Sequence, residues 1–399
     1  MDFQHSPRSI EMQGAVRDFL RAEVLPREAE YDALVAKGVF PVPFFEELKA
    51  KAKKLGLWNL FLPGLKDGEP GTRLSNLDYA PIAEMLGRVF WSSELMNCSA
   101  PDTGNMEVLH LVATPEQKER WLKPLMEGEI RSCFSMTEPA VASSDPTNLR
   151  TEIRRDGDAF VINGKKWFTS GAANPRCKIA IVMGVTDGDA KPHERMSMIL
   201  VPMDTPGVKV GRNLSVMGQT HPEGHCEVDF VSARVPASNL LGKPGDGFRI
   251  AQQRLGPGRI HHCMRAIGQA EHALALMTER AKSRVAFGKP LADHGQVGEW
   301  IALSRIEIDQ ARLLVMKAAW LMDHQGNEAA RREVAMIKVI VPRMLVAVAD
   351  RAIQTYGAAG LTPDTPLAAI WTWGRCLRLA DGPDEVHLRT IARQELAGP

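Results

Sequence analysis

The chain has 399 residues, too many for one ordinary core, so two or three domains are expected. Its 49 Lys plus Arg balance 48 Asp plus Glu, and a net charge of +1 gives no general pull toward nucleic acid or an anionic membrane. The apolar fraction of 44% suits a globular protein, no apolar run approaches the ~20 residues of a bilayer span, and the amino terminus has no secretory pattern. Residues 8–130 read as helical: Ser9 to Val24 ahead of Pro26, Phe44 to Leu55 closing at Gly56, Leu77 to Leu86, and Glu94 to Val112. The Thr114–Pro115–Glu116–Gln117 start then opens a helix from Glu116 to Met126 that stops at Gly128.

From residue 131 the period shortens to two. Thr151–Ile153 and Ala159–Ile162 flank an Asp156–Gly157 hairpin turn, and Asn163–Gly164 reads as the next reversal. Ile179–Val185, Ser197–Pro202, Val208–Val210 and Cys226–Val231 are further strands, which suggests a small antiparallel barrel or sandwich. In Trp167–Phe168–Thr169, strict alternation puts Trp167 and Thr169 on one face and Phe168 on the other. From Gly247 onward the chain is helical again: Arg259 to Arg284, Val297 to Gln325, Glu328 to Tyr356 with Pro342 inside, Leu367 to Leu379, and Pro383 to Leu396. The fold class is therefore α+β multidomain, with a helical domain over 1–130, a β-domain over 131–242 and a four-helix bundle over 243–399.

Several residues imitate chemistry and read better as structure. The six cysteines are scattered without a CxxC pair, which favours a reducing cytoplasm over a disulfide framework or zinc site. His110 reads as a packed core histidine, and the His221 to His225 segment as a loop with no further metal ligands nearby. No strand–GxGxxG–helix unit supports a Rossmann site. Asp381 precedes the last helix on a stretch freed by Gly382; on local grounds it reads first as a solvated pre-helix Asp, and the other reading is a carboxylate held at the mouth of the bundle as a general base.

Taken together, Met136–Thr137–Glu138–Pro139, Trp167–Phe168–Thr169, Arg284–x–x–Phe287–Gly288, Gln354–x–x–Gly357–x–x–Gly360 and Asp381–Gly382 resemble the acyl-CoA dehydrogenase family of flavoproteins, in the right order over the whole chain. The resemblance implies FAD held between the last two domains, an acyl-CoA substrate, electron-transfer flavoprotein as electron acceptor, and a homodimer or homotetramer. It assigns Phe134, Met136, Thr137, Trp167, Phe168, Thr169, Pro383 and Glu385 to the cofactor. It also places Arg284, Phe287, Gln354 and Gly357 on the FAD of a neighbouring subunit, and Arg259 and Gly382 beside the substrate. Ser143 or Ser144 meets the pyrophosphate or the coenzyme A; one residue more than the usual Glu-Pro-Gly-Ala-Gly-Ser-Asp form leaves that choice open. Asp381 falls on the catalytic carboxylate, usually Glu in Tyr-Glu-Gly-Thr, and Ala380–Asp381–Gly382–Pro383 with Asp384–Glu385–Val386–His387 is similar to the subfamily of the tenth and eleventh animal acyl-CoA dehydrogenases. Some family members carry the base on the first bundle helix, where this chain has Gly258. The implied reaction takes the α-proton to Asp381 and the β-hydride to flavin N5, giving a trans-2-enoyl-CoA. A flavin oxidase on the same scaffold, acting on acyl-CoA or nitroalkanes, is the alternative; a DNA-associated relative would need a basic surface that the balanced charge does not supply.

Overall fold

The computed structural model describes residues 4–398; the first three residues of the amino-terminal stretch and the final residue lie outside the described residues. Helix α1 (Pro7–Phe19) starts where the Ser6 hydroxyl accepts the Ser9 N–H at 3.1 Å, and continues through a π turn, Leu20–Val24, until Pro26 ends the hydrogen-bond supply. Helix α2 (Glu28–Ala36), which the apolar pattern did not reveal, precedes α3 (Phe45–Lys54) and α4 (Asn76–Gly87). The single helix expected over 94–112 is two, Ser92–Leu95 and α5 (Asp102–Val112). Asn97 at φ 53° and the imide of Pro101 interrupt it. The expected helix after Thr114 is present over 115–126, with a capping box between Thr114 and Gln117.

The β region holds an eight-stranded sheet of β1 (Arg131–Ser135), β2 (Glu152–Asp156), β3 (Ala159–Ser170), β4 (Cys177–Val185), β5 (Met196–Pro202), β6 (Val208–Asn213), β7 (His225–Pro236) and β8 (Leu240–Leu241), beside a small hairpin of Ser215–Val216 and Gln219–Thr220. Its order, β8-β5-β4-β2-β3-β7-β6 with β1 on β4, has two free ends, and β1 runs parallel to β4; the sheet is thus mixed and open where a closed antiparallel barrel was one expectation. Asn163–Gly164 is no reversal either, because β3 runs straight through it. A Cβ at Gly164 would lie 2.3 Å from Thr151 Oγ1, so glycine serves close strand packing, and Asn163 Oδ1 accepts the Ser232 N–H at 2.8 Å across a bulge in β7. Ile153, Ile162, Val182, Val201, Val228 and Phe230 fill the core beneath the sheet.

Helix α6 spans Gly247–Ser283, twelve residues longer at its start than expected, since Gly256–Pro257–Gly258 lie inside it. Of the three, Gly256 has a packing reason: a Cβ there would fall 2.2 Å from Asn327 Oδ1. A hairpin of Val285–Ala286 and Lys289–Pro290 follows, then α7 (Gly295–Ala329), α8 (Arg331–Tyr356), α9 (Leu367–Leu377) and α10 (Asp384–Ala397). Pro383, expected as the first helical residue of α10, is its N-cap.

By contact the chain forms two units. One comprises the residues up to Pro26, Arg73–Ser93 and the chain from Gly256 onward; the other comprises Arg27–Thr72 and Glu94–Leu255. In the first, α4 crosses α6 backbone to backbone, because a Cβ at Gly87 would lie 2.0 Å from Arg265 O and one at Gly268 1.8 Å from Glu84 O. Asp323 of α7 accepts the Asn76 and Leu77 N–H groups at the start of α4, at 2.9 and 2.8 Å. In the second, buried Arg131 is paired with Asp102, with Glu94 at 2.7 Å and with Glu223 at 3.1 Å. No helix among the described residues is long and apolar enough to cross a membrane.

Candidate active site

In the sheet unit the motif residues converge on the end of β1 and a bulge in β3. Lys166 pairs with Val228 and Thr169 with Cys226, so β3 carries one extra residue between them. The bulge overturns the expected alternation: Lys166 and Thr169 are both fully buried, while Trp167 and Phe168 turn outward with their rings 5.1 Å apart and edge to face. Phe168 sits at φ 49°, a left-handed conformation costing roughly 1–3 kcal/mol for a bulky residue, and remains 45% exposed. Thr137 and Trp167 form a closed rung: the Trp167 N–H donates to Thr137 O at 3.1 Å and the Thr137 hydroxyl donates to Trp167 O at 2.8 Å. The Thr169 hydroxyl lies 3.5 Å from that of Ser135.

This rung hangs on an ion pair inside the protein. Lys166 Nζ donates to Met136 O and to Glu138 Oε1, both at 2.8 Å, and the Glu138 carboxylate also accepts the Arg150 and Thr151 N–H groups at 2.8 and 2.9 Å. Burial pushes the Lys166 ammonium down to about 8 in spite of its partner; it opposes ionisation of Glu138 too, but Lys166 and the N–H donors outweigh it and hold that carboxyl below its usual range. The Ser143 hydroxyl accepts the Glu138 N–H at 2.9 Å and so braces the following loop, whereas Ser144 is exposed. Phe134 lies under the Arg254 guanidinium at 4.0 Å, and Arg254 Nε donates to Asn105 Oδ1 at 3.1 Å. Next along α5, Glu107 is buried, and burial raises its carboxyl to about 8.

In the bundle unit a second cluster surrounds Asp381, which lies at φ 55°, followed by Gly382 at φ 104°. Its carbonyl accepts Arg259 Nε at 2.9 Å, and Lys338, fully buried on α8, donates to Leu377 O at 2.6 Å and Ala380 O at 2.8 Å. The loop is thus clamped from both sides of Asp381. Asp384 is buried and accepts Arg343 Nε at 3.0 Å and Arg378 Nε at 2.9 Å. His387 packs under the loop, leaving only 3.0 Å between its Nε2 and a Cβ at Gly382, so a larger residue there must push the imidazole aside and is strained by the φ of 104°. Burial, then the Arg259 and Lys338 charges, lower the His387 imidazole to about 4, and it is neutral at physiological pH. His262 Nε2 stands 3.5 Å from Asp381 Oδ2. Glu385 is exposed and Pro383 half-buried.

The residues assigned to a neighbouring subunit are exposed on the same unit. Phe287 is 99% exposed at the hairpin tip, held at φ 51°, and Arg284 begins that hairpin. Gln354 and Gly357 are exposed where α8 ends, with Gly357 at φ 68°. Gly360 permits close packing, as a Cβ there would meet Ile353 Cα at 2.9 Å. Sequence reasoning gives Lys338 and His262 no role and names Asp384 and His387 only within the motif that follows Asp381. Lys338 had one visible signal: it interrupts the apolar face set by Val334, Ile337, Val341 and Leu345.

Family models described as the N-terminal, middle and C-terminal domains of acyl-CoA dehydrogenase match residues 6–129, 133–232 and 245–396. The chain is 57% identical to a Mycobacterium tuberculosis protein named acyl-CoA dehydrogenase FadE2, over 100% of this chain and 97% of that one. It is 54% identical to mouse acyl-CoA dehydrogenase family member 10 over 98% of its own length but 37% of the mouse protein, so it spans little more than a third of that relative. A solved Mycobacterium abscessus structure named as an acyl-CoA dehydrogenase is 51% identical, covers 99% of both chains and superposes with a TM-score of 0.94.

Proposed function

The chain belongs to the acyl-CoA dehydrogenase family, and from that premise we propose that it catalyses FAD-dependent α,β-dehydrogenation of an acyl-CoA thioester to a trans-2-enoyl-CoA, with Asp381 as base. The observation that carries this reading is the clamped loop: a carboxylate in a left-handed conformation, its flanking carbonyls held by Arg259 and buried Lys338.

The residues present fit a flavin. Phe168 and Trp167 offer aromatic surface at a bulge, and the Thr137 hydroxyl beside them donates inward and keeps its oxygen as an acceptor. Phe134, Met136, Thr169, Pro383 and Glu385 complete the assigned set on this subunit, with Ser143 or Ser144 at the pyrophosphate or coenzyme A. FAD, when bound, supplies the acceptor for a hydride from the β-carbon.

The rest is the work of the chain. Asp381 accepts the α-proton, and Arg259 and Lys338 keep its backbone from yielding as charge moves onto it. The α-proton of a thioester is far too weakly acidic for a carboxylate in water, so the thioester oxygen needs a donor as it gains charge; the Asp381 N–H is assigned that part. Gly382 allows substrate to approach the loop, and Arg259 lines the same place. Phe287, Arg284, Gln354 and Gly357 reach the cofactor of a second copy, which makes a homodimer or homotetramer the working form; the support is a phenyl ring fully in solvent at a fixed turn. Electron-transfer flavoprotein is the proposed acceptor.

A panel of acyl-CoAs mixed anaerobically with the FAD-loaded protein tests the reading. At least one should bleach the flavin, and colour should stay lost when air is admitted. Rapid recolouring with peroxide release would identify an oxidase instead, and no bleaching by any acyl-CoA would refute both. Asp381→Asn should keep FAD yet slow bleaching by about 10³-fold or more.

A further inference from the structure

Arg259 and Lys338 hold the backbone at Asp381. Its carboxylate is approached from α6, one turn beyond Arg259. His262 Nε2 is 3.5 Å from Asp381 Oδ2, with side chains only 16% and 22% exposed. The other ring nitrogen, Nδ1, lies 3.2 Å from the NH2 of Arg265, a further turn along the same helix. A guanidinium donates and never accepts, so Nδ1 is the acceptor and the ring hydrogen resides on Nε2, facing the carboxylate. Trp373 of α9 flanks the imidazole with its ring centre 6.1 Å away.

Three cations and the Asp381 carboxylate lie around the ring. Arg259 and Arg265 face this place from α6 and Lys338 from α8, while His387 from α10 is itself neutral; Asp384 lies further off, already engaged by Arg343 and Arg378. The carboxylate attracts a proton to the ring and the three cations oppose it, while the Arg265 N–H aimed at Nδ1 leaves no room for a hydrogen on that nitrogen.

We propose that His262 is a positioning residue for the base: a neutral imidazole, its tautomer set by Arg265, that donates Nε2–H to Asp381 and holds the carboxylate toward the substrate. The inference rests on the reading of Asp381 as base. Such a donor also favours the charged carboxylate, so removing it makes Asp381 protonate more readily and moves the acid limb of the rate profile to higher pH.

Two variants and one spectrum test it. His262→Leu should slow anaerobic flavin reduction by about 10–100-fold and shift the acid limb up by about one pH unit, with KM and FAD content little changed. His262→Gln, whose amide reaches the position of Nε2, should recover to within about fivefold of the parent. Nitrogen NMR of the ¹⁵N-histidine-labelled holoprotein at pH 7 should show His262 neutral with hydrogen on Nε2. A Leu variant with the parental rate and profile, a Gln variant as slow as Leu, or an Nδ1–H or doubly protonated ring would each overturn the proposal. Should no acyl-CoA bleach the parent protein, the dehydrogenase reading falls, while the NMR result still decides whether the His262 donor exists.

Discussion

Lys166 in the sheet unit and Lys338 in the bundle unit are both fully buried, and both donate to main-chain carbonyls at a functional turn. They differ in their counterions. Lys166 is bonded to Glu138, which in turn holds two backbone N–H groups, so the sheet site is a closed electrostatic knot. Lys338 bonds carbonyls and meets its negative charges, Asp381 and Asp384, through space. On the proposed reading of Asp381 as base, one site holds a shape and the other holds the carboxylate that takes the proton. A carboxylate tied directly to a buried ammonium would lose basicity, which suits a scaffold and not a base.

That contrast can be broken most forcefully at Glu138. Glu138→Ala leaves Lys166 buried without its anion and should cost about 3–5 kcal/mol, read as a lower urea midpoint together with loss of bound FAD. Lys338→Met should cost less, about 1–3 kcal/mol for carbonyls left without a donor, and should retain FAD while flavin reduction falls at least about tenfold. If Lys338→Met loses FAD and keeps its reduction rate, the division of labour is wrong.

Acid and alkali sharpen the same contrast, with opposite signs. His387 is held neutral down to about 4, below its ordinary 6.5, so folding excludes a proton that the unfolded chain binds, and stability from this group is lost as pH falls from 6.5 toward 4. Glu107 in the sheet unit is raised from 4.5 to about 8, so the folded chain keeps a proton the unfolded chain releases, and stability is lost as pH rises across that interval. Thermal melts should show a smaller acid loss in His387→Gln and a smaller alkaline loss in Glu107→Gln. The smallest effect on stability is expected at Phe287, where truncation of an exposed ring to Ala should stay within about 0.5 kcal/mol. The same variant should weaken FAD retention and subunit association, measured by flavin absorbance and light scattering; no change in either would remove the case for a shared site.

What was legible in the sequence followed from local rules. Most helices with caps and stops and most strands of period two are placed by short-range chemistry, which gives the fold class of helical, β and helical segments; the motif residues came from the family resemblance, and helix α2 went unseen. The misreadings occurred where distant packing overrules a local signal. Asn163–Gly164 has turn chemistry, yet Gly164 is there for Thr151 and Asn163 for a bulge in another strand. Gly256–Pro257–Gly258 looks like a boundary and lies within a helix, whose glycine accommodates Asn327. The alternation at Trp167–Phe168–Thr169 failed because a bulge leaves no mark in composition. Arg131, Lys338 and Asp384 were hidden for a different reason: charged residues default to solvent, and only the fold brings their partners together.

The crossing of α4 on α6 has a further consequence. Gly87 and Gly268 touch backbone to backbone, so the spacing there depends on atoms that every possible sequence shares. The helix held at that distance is the one carrying Arg259, His262 and Arg265. Substitution can alter the side chains around Asp381 by degrees, but at these two positions even alanine is a jump of more than an ångström. A mutational landscape of this protein should therefore show two empty columns, marking the gauge by which the helix of Arg259 and His262 is set.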